Sequence, residues 1–210
     1  MGYLPEALLN FLVRLGWSNG DQEIFSMEEM IELFDPSNIN KSASIYNVDK
    51  LDWLNAHYIK NSPNTKLAEL LKEYGVNIEG HDKKEFLLDA LKERAKNMKE
   101  LAEMVPAILD APTAYDEKAV KKAFKGNAAE VLEAFVEKLQ EAGELHLPSD
   151  YHAVMEALVS EMEIGFGKIG MPLRVALLGA MGGPGMDSVM AVLGKDETIK
   201  RIKKAVETLK

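Results

Sequence analysis

The sequence predicts an all-α protein, and three observations carry that expectation. Apolar residues recur at spacings of three and four in segment after segment, no stretch alternates with period two for long enough to make a sheet, and Pro, Gly, Asn and Ser punctuate the chain at helix-length intervals. The 47% hydrophobic content of the 210 residues is enough for a packed core. There are no cysteines, which excludes disulfides and thiolate metal sites, and His57, His81, His146 and His152 are too scattered to suggest a metal. No apolar run reaches the roughly 18 residues of a membrane span and no charged-then-apolar leader precedes the first helix, so a cytoplasmic protein without membrane association is expected.

The elements follow in order. "PEALLNFLVRL" reads as a helix with Pro5 at its first position, Leu8, Leu9, Leu12 and Leu15 on one side, and Gly16 stopping it. In "SMEEMIELF", Ser26 and Glu29 have the spacing of a capping box ahead of Met30, Ile31, Leu33 and Phe34. "DPSNINKSASIYN" is a loop by composition, and Asn47 should cap a helix through "VDKLDWLNAHYI". Helical patterning runs from Pro63 to about residue 74, breaks at "YGVNIEGHD", and resumes over 82–104 as one long stripe of Phe86, Leu87, Leu91, Met98, Leu101 and Met104. Pro106 and Pro112 mark a joint, followed by helices at 116–124, 127–142, 150–163, 172–178, 186–193 and 196–209.

"IGFGKIG", Ile164 to Gly170, matches the spacing GxGxxG of dinucleotide-binding loops. That motif works only where a buried strand turns into a helix whose N–H groups face a pyrophosphate. Here the preceding "DYHAVMEALVSEME" carries Tyr151, Val154, Met155, Leu158, Val159 and Met162 on a helical stripe, so the glycines should join helix to helix, letting them turn and pack closely. Pro172 then falls in a first helical turn and Gly179 at a helix stop. The 11 methionines read as adaptable core filler, and Trp17 and Trp53 as core anchors.

The formal charge of -9 opposes nucleic acid at first sight, yet the acidity lies in the first two thirds of the chain. "LKERAKNMK" gathers Lys92, Arg94, Lys96 and Lys99 around one acid, Glu93, a pattern that more often marks a solvated helix face but still permits a local basic surface that meets phosphates. No nucleophile elbow, P-loop, acid pair or metal triad can be assembled. Taken alone, these residues describe a helical binding module, with an RNA-binding piece and an acidic protein-interaction module as the two classes in view.

Several stretches carry a resemblance. "GYLPEALLNFLVRLGWSNGDQEIFSMEEMIELFD", "NKSASIYNVDKLDWLNAHYI", "GKIGMPLRVALLG" and "VLGKDETIKRIKKAV" occur in an order that resembles the C-terminal half of bacterial glutamyl-tRNA synthetase, a class I enzyme. Residues 1–60 and 167–179 carry it most specifically, and 107–145 matches only in helical character. The resemblance implies a stem-contact helical fold over 1–62, then an α-helical anticodon-binding cage in two portions, 63–105 and 106–210. It further implies a piece that starts just past the KMSKS loop and holds no catalytic residue, no cofactor and no metal. ATP and Mg would serve the absent catalytic domain, whose HIGH and KMSKS strings do not occur here. The implied partner is the glutamate tRNA, with the glutamine tRNA left open, bound by a monomer.

Four residues match family positions at the anticodon. Arg94 corresponds to a position that in discriminating members of the family reads the third anticodon base, a cytosine, and Arg174, in "MPLRVALLG", to a contact of the first; Pro184 and Met186 in "GGPGM" correspond to an apolar shelf against that first base. A planar five-donor guanidinium suits both arginine roles, because unpaired bases are recognised by edge hydrogen bonds and stacking. Lys92, Lys96, Lys99 and Lys168 are the candidate phosphate contacts. Gly183 and Met186 stand where the family favours Thr or Ser and Leu, and Leu178 where it favours Thr. The prolines and the resemblance together predict two helical portions meeting near 104–112, with residues 92–99 and 171–186 facing one groove.

Overall fold

The computed structural model describes residues 2–40 and 45–209; positions 41–44 of the expected loop lie outside the described residues. The described residues form eleven helices, one 3-10 turn at Pro36–Asn38 and no strand, so the protein is all-α. The chain divides into two compact units, Met1–Asn77 with Lys92–Ala102, and Ile78–Leu91 with Glu103–Lys210.

The first unit holds α1 (Pro5–Gly16), α2 (Met27–Leu33), α3 (Val48–Asn61) and α4 (Asn64–Lys72). Each start has the expected chemistry. Pro5 sits at the first position of α1, Ser26 and Glu29 form a reciprocal capping box on α2, and the Asn47 side chain accepts from Lys50 N at 3.1 Å. The buried face of α1 is nevertheless not the predicted leucine side: Leu8, Leu9 and Leu12 are exposed, whereas Leu4, Ala7, Asn10 and Phe11 are buried. Asn10 explains the choice. Its amide donates to Glu23 O at 2.9 Å, and its carbonyl oxygen accepts from Phe25 N and Tyr58 Oη, each at 2.8 Å, bonds available only if this face turns inward. Phe11, Leu51 and Leu54 form one core cluster and Trp17, Phe25 and Met30 another. Trp17 is a core anchor as expected, but Trp53 is 52% exposed, because α3 buries Leu51, Leu54, Asn55 and Ile59 on the opposite side.

The expected single helix over 82–104 is two. α5 (Lys84–Lys92) stops at a turn through 93–97, and α6 (Met98–Leu109) begins afresh. The break is chemically specified: the Asn97 side chain accepts from Glu100 N at 2.9 Å, the Glu100 carboxylate accepts from Lys96 N at 2.9 Å, and Met98 N donates to Gly2 O at 2.8 Å. Pro106, expected at a joint, lies inside α6 on its exposed side. The helix there forgoes the hydrogen bond that a proline nitrogen cannot donate.

In the second unit, α7 (Glu117–Ala123), α8 (Ala128–Glu141), α9 (Pro148–Glu161), α10 (Gly167–Leu178) and α11 (Met186–Leu209) pack with α11 against α8, α9 and α10. α11 leaves helical geometry at Gly194, with φ 77° and ψ 167°, where the sequence separates 186–193 from 196–209. Gly179 ends α10 at φ 74°; a Cβ there would lie 2.7 Å from Ala114 O, so both conformation and space require glycine. At the centre lies Arg201, 2% exposed, whose guanidinium donates to Ile108 O, Leu109 O and Leu177 O at 2.8–3.1 Å and to Glu197 Oε1 at 3.0 Å.

The glycines of "IGFGKIG" do join helix to helix, between α9 and α10, but not for the reason expected. None of Gly165, Gly167 and Gly170 has positive φ; the left-handed residue of this link is Glu163, at φ 51°. An added Cβ would meet nothing within 4 Å at Gly165 or Gly170, so neither turning nor close packing demands a glycine. α10 also starts five residues earlier than predicted, leaving Pro172 in its interior. Gly170→Ala is therefore expected to stabilise the fold by about 0.5–1 kcal/mol, the ordinary helix-interior difference, measured by urea unfolding.

Candidate nucleic-acid interface

Arg94 stands on the 93–97 turn, exposed, between buried Leu91 and Ala95. Among the described residues its side chain makes no hydrogen bond or ion pair. The turn beneath it is fixed from α3, where Asn55, fully buried, donates from Nδ2 to Lys96 O at 2.5 Å and accepts Leu4 N on Oδ1 at 2.7 Å. The pinned turn thus presents a guanidinium that, among the described residues, no carboxylate pairs with. Glu93, the acid of this run, is occupied by Lys60 at 2.6 Å. Lys96 and Lys99 are exposed, and Lys92 is half-buried, reaching Asn64 Oδ1 at 3.1 Å.

In the second unit, Arg174 projects from α10 and donates from Nη1 to Gly183 O at 2.8 Å, tying the helix to the loop before α11. Beside it opens a cavity of about 400 Å³ walled by His152, Met155, Phe166, Met171, Arg174 and Met186. Its walls are mostly apolar with few polar groups, the usual character of a ligand pocket. Met186 is 5% exposed and lines the cavity, while Pro184 is buried within the loop. Lys168 is exposed in the first turn of α10. The structure thus collects Arg174 and Met186 at one cavity, and groups Arg94 with Lys92, Lys96 and Lys99 at one turn.

Three contributors were not singled out from sequence. Asn55 looks like one polar residue on an apolar helix face, and its role depends on Leu4 and Lys96, which are distant in the chain. Phe166 and His152 lie at a wall of the cavity with rings 5.4 Å apart and 27° between planes. An aromatic residue set in a glycine-rich link, outside any apolar stripe, was the available signal for Phe166.

Comparison with known proteins identifies the family. Residues 66–206 match the family model described as the anticodon binding domain, and residues 1–53 match part of the catalytic domain of the E and Q class I tRNA synthetases. Glutamate–tRNA ligase 1 of Sulfurimonas denitrificans is 68% identical and that of a Sulfurovum species 70% identical, each over 210 residues; the chain covers 46% of the length of either. A crystal structure of a glutamate tRNA ligase from Elizabethkingia meningosepticum superposes with a TM-score of 0.87 at 33% identity, covering 100% of this chain and 42% of that one. The chain belongs to the anticodon-binding-domain family, in the form carried by the bacterial glutamate–tRNA ligases.

Proposed function

We propose that this chain binds the anticodon arm of the glutamate tRNA as the RNA-reading portion of a glutamate–tRNA ligase whose catalytic portion activates glutamate with ATP and Mg. The carrying observation is the cavity at Arg174: a guanidinium fixed to a loop carbonyl beside an apolar space suits an unpaired base, which needs both edge hydrogen bonds and a flat apolar contact. The exposed, unneutralised Arg94 supports a second base contact, with Lys92, Lys96, Lys99 and Lys168 supplying sequence-independent attraction to phosphates. Pro184 and Met186 support the loop against the first base, Met186 from the cavity wall and Pro184 from within.

Chemistry is assigned elsewhere. Among the described residues no three or more His, Asp or Glu side chains gather as a metal-binding group. Neither the HIGH nor the KMSKS string occurs in this sequence, and the chain alone is expected neither to exchange pyrophosphate with ATP nor to charge tRNA. No helix among the described residues is long and apolar enough to cross a membrane. A monomer acting in the cytoplasm completes the reading.

The test titrates anticodon stem-loops, varied one base at a time, at two salt concentrations. Arg94→Gln should lose on the order of 1–3 kcal/mol and relax discrimination at the third base, whereas Arg174→Ala should act on the first. Uniform weakening of every loop by Arg94→Gln, with the salt slope reduced by roughly 1, would identify a phosphate contact instead. No binding at any salt would remove the RNA reading altogether.

A further inference from the structure

We propose that Phe166, braced by His152, is a stacking platform for the middle anticodon base, next to the first base held at Arg174. The inference rests on the anticodon reading above and extends it to residues that the reading does not use.

Phe166 is 40% exposed at the wall of the cavity, although its neighbours at 169, 172 and 173 on α10 are buried. Its ring stacks on His152, and that imidazole lies between carboxylates of two helices. Nε2 lies 3.4 Å from Glu156 on α9, and Nδ1 lies 3.7 Å from Asp187 on α11. The ring pair is thus already stacked without a ligand, which lowers the ordering cost of binding.

The space in front of it is left open by glycines. At Gly170 an added Cβ would touch nothing within 4 Å, and at Gly167 only Met171 Cε at 3.9 Å, so protein side chains do not fill the room that a flat base would use. Charge selects which part of the RNA enters. Glu156 and Asp187 flank the ring pair and would repel a phosphate, but a neutral base with amino or imino donors meets no such penalty. Unpaired bases stack on aromatic side chains with little regard to sequence, which makes this a site for holding the loop open rather than for reading a letter.

The test uses the whole 210-residue chain and three glutamate-tRNA stem-loops: intact, abasic at the middle anticodon position, and abasic at the first. Phe166→Leu keeps apolar volume and removes the ring face; it should weaken the intact loop by about 5- to 30-fold, within the range for one stacked base. It should have no further effect on the loop lacking the middle base, and should leave the salt slope unchanged because no phosphate contact is lost. Phe166→Trp should retain binding. The proposal is overturned if Phe166→Leu weakens all three loops equally, changes none of them, or loses its effect only with the loop lacking the first base. If the unmodified chain does not distinguish the intact loop from either abasic loop, the anticodon reading itself fails. An effect confined to Arg174→Ala overturns only the ring site.

Discussion

Arg201→Met should lower stability by about 3–5 kcal/mol, the cost of breaking a buried charged network by removing one partner. The guanidinium closes the C-terminal ends of two helices: Ile108 O and Leu109 O end α6, and Leu177 O ends α10, all within the second unit. Methionine fills similar volume but donates nothing, so these carbonyls are left in a dry interior without their donor. Arg201→Lys should recover part of the loss, because an ammonium can reach some acceptors but cannot reproduce a planar fork aimed at several at once. Urea unfolding followed by far-UV circular dichroism checks the ranking; a loss below about 1 kcal/mol for Arg201→Met would contradict it. The same network sets an acid limb. Hydrogen bonding from Arg201 holds the Glu197 carboxyl below its unfolded value of 4.5, so its contribution is present above that pH and is lost as pH falls through the lower folded value. Arg201→Met should make that part of the limb shallower.

Asn55→Ala should cost about 2–4 kcal/mol, because it leaves the Leu4 N–H and the Lys96 carbonyl without the partner they share. Its functional consequence distinguishes it from Arg201→Met. Asn55 secures the turn that carries Arg94, so the variant should also lose discrimination at the third anticodon base, even under conditions where it remains folded. Trp17 and Trp53 both lie in the first unit, so tryptophan fluorescence follows this loss directly. Intact third-base discrimination in a folded Asn55→Ala chain would show that the Arg94 turn does not depend on this side chain.

The all-α class, the capping box of α2 and the Asn cap of α3, the Pro5 start and the Gly194 break were legible in the sequence, because each depends on residues within four positions of one another. The "LKERAKNMK" break was not read from the sequence. Asn97 and Glu100 have capping spacing, but the apolar stripe running across them suggests continuity, and the competition is decided by Gly2 and Asn55, far away in the chain.

The candidate site divides in the same way. Sequence by itself placed Arg94, Arg174 and Met186 as candidates through a resemblance carried by short motifs. Tertiary structure decided which face of α1 turns inward, that Trp53 faces out while Arg201 is buried, and that Phe166 and His152 meet at one cavity. The physical reason is common to these cases. A side chain's burial is set by its hydrogen-bond partners and by the surfaces opposing it, and for Asn10, Asn55, Arg201 and Phe166 those lie up to 93 positions away, where no local period can reveal them.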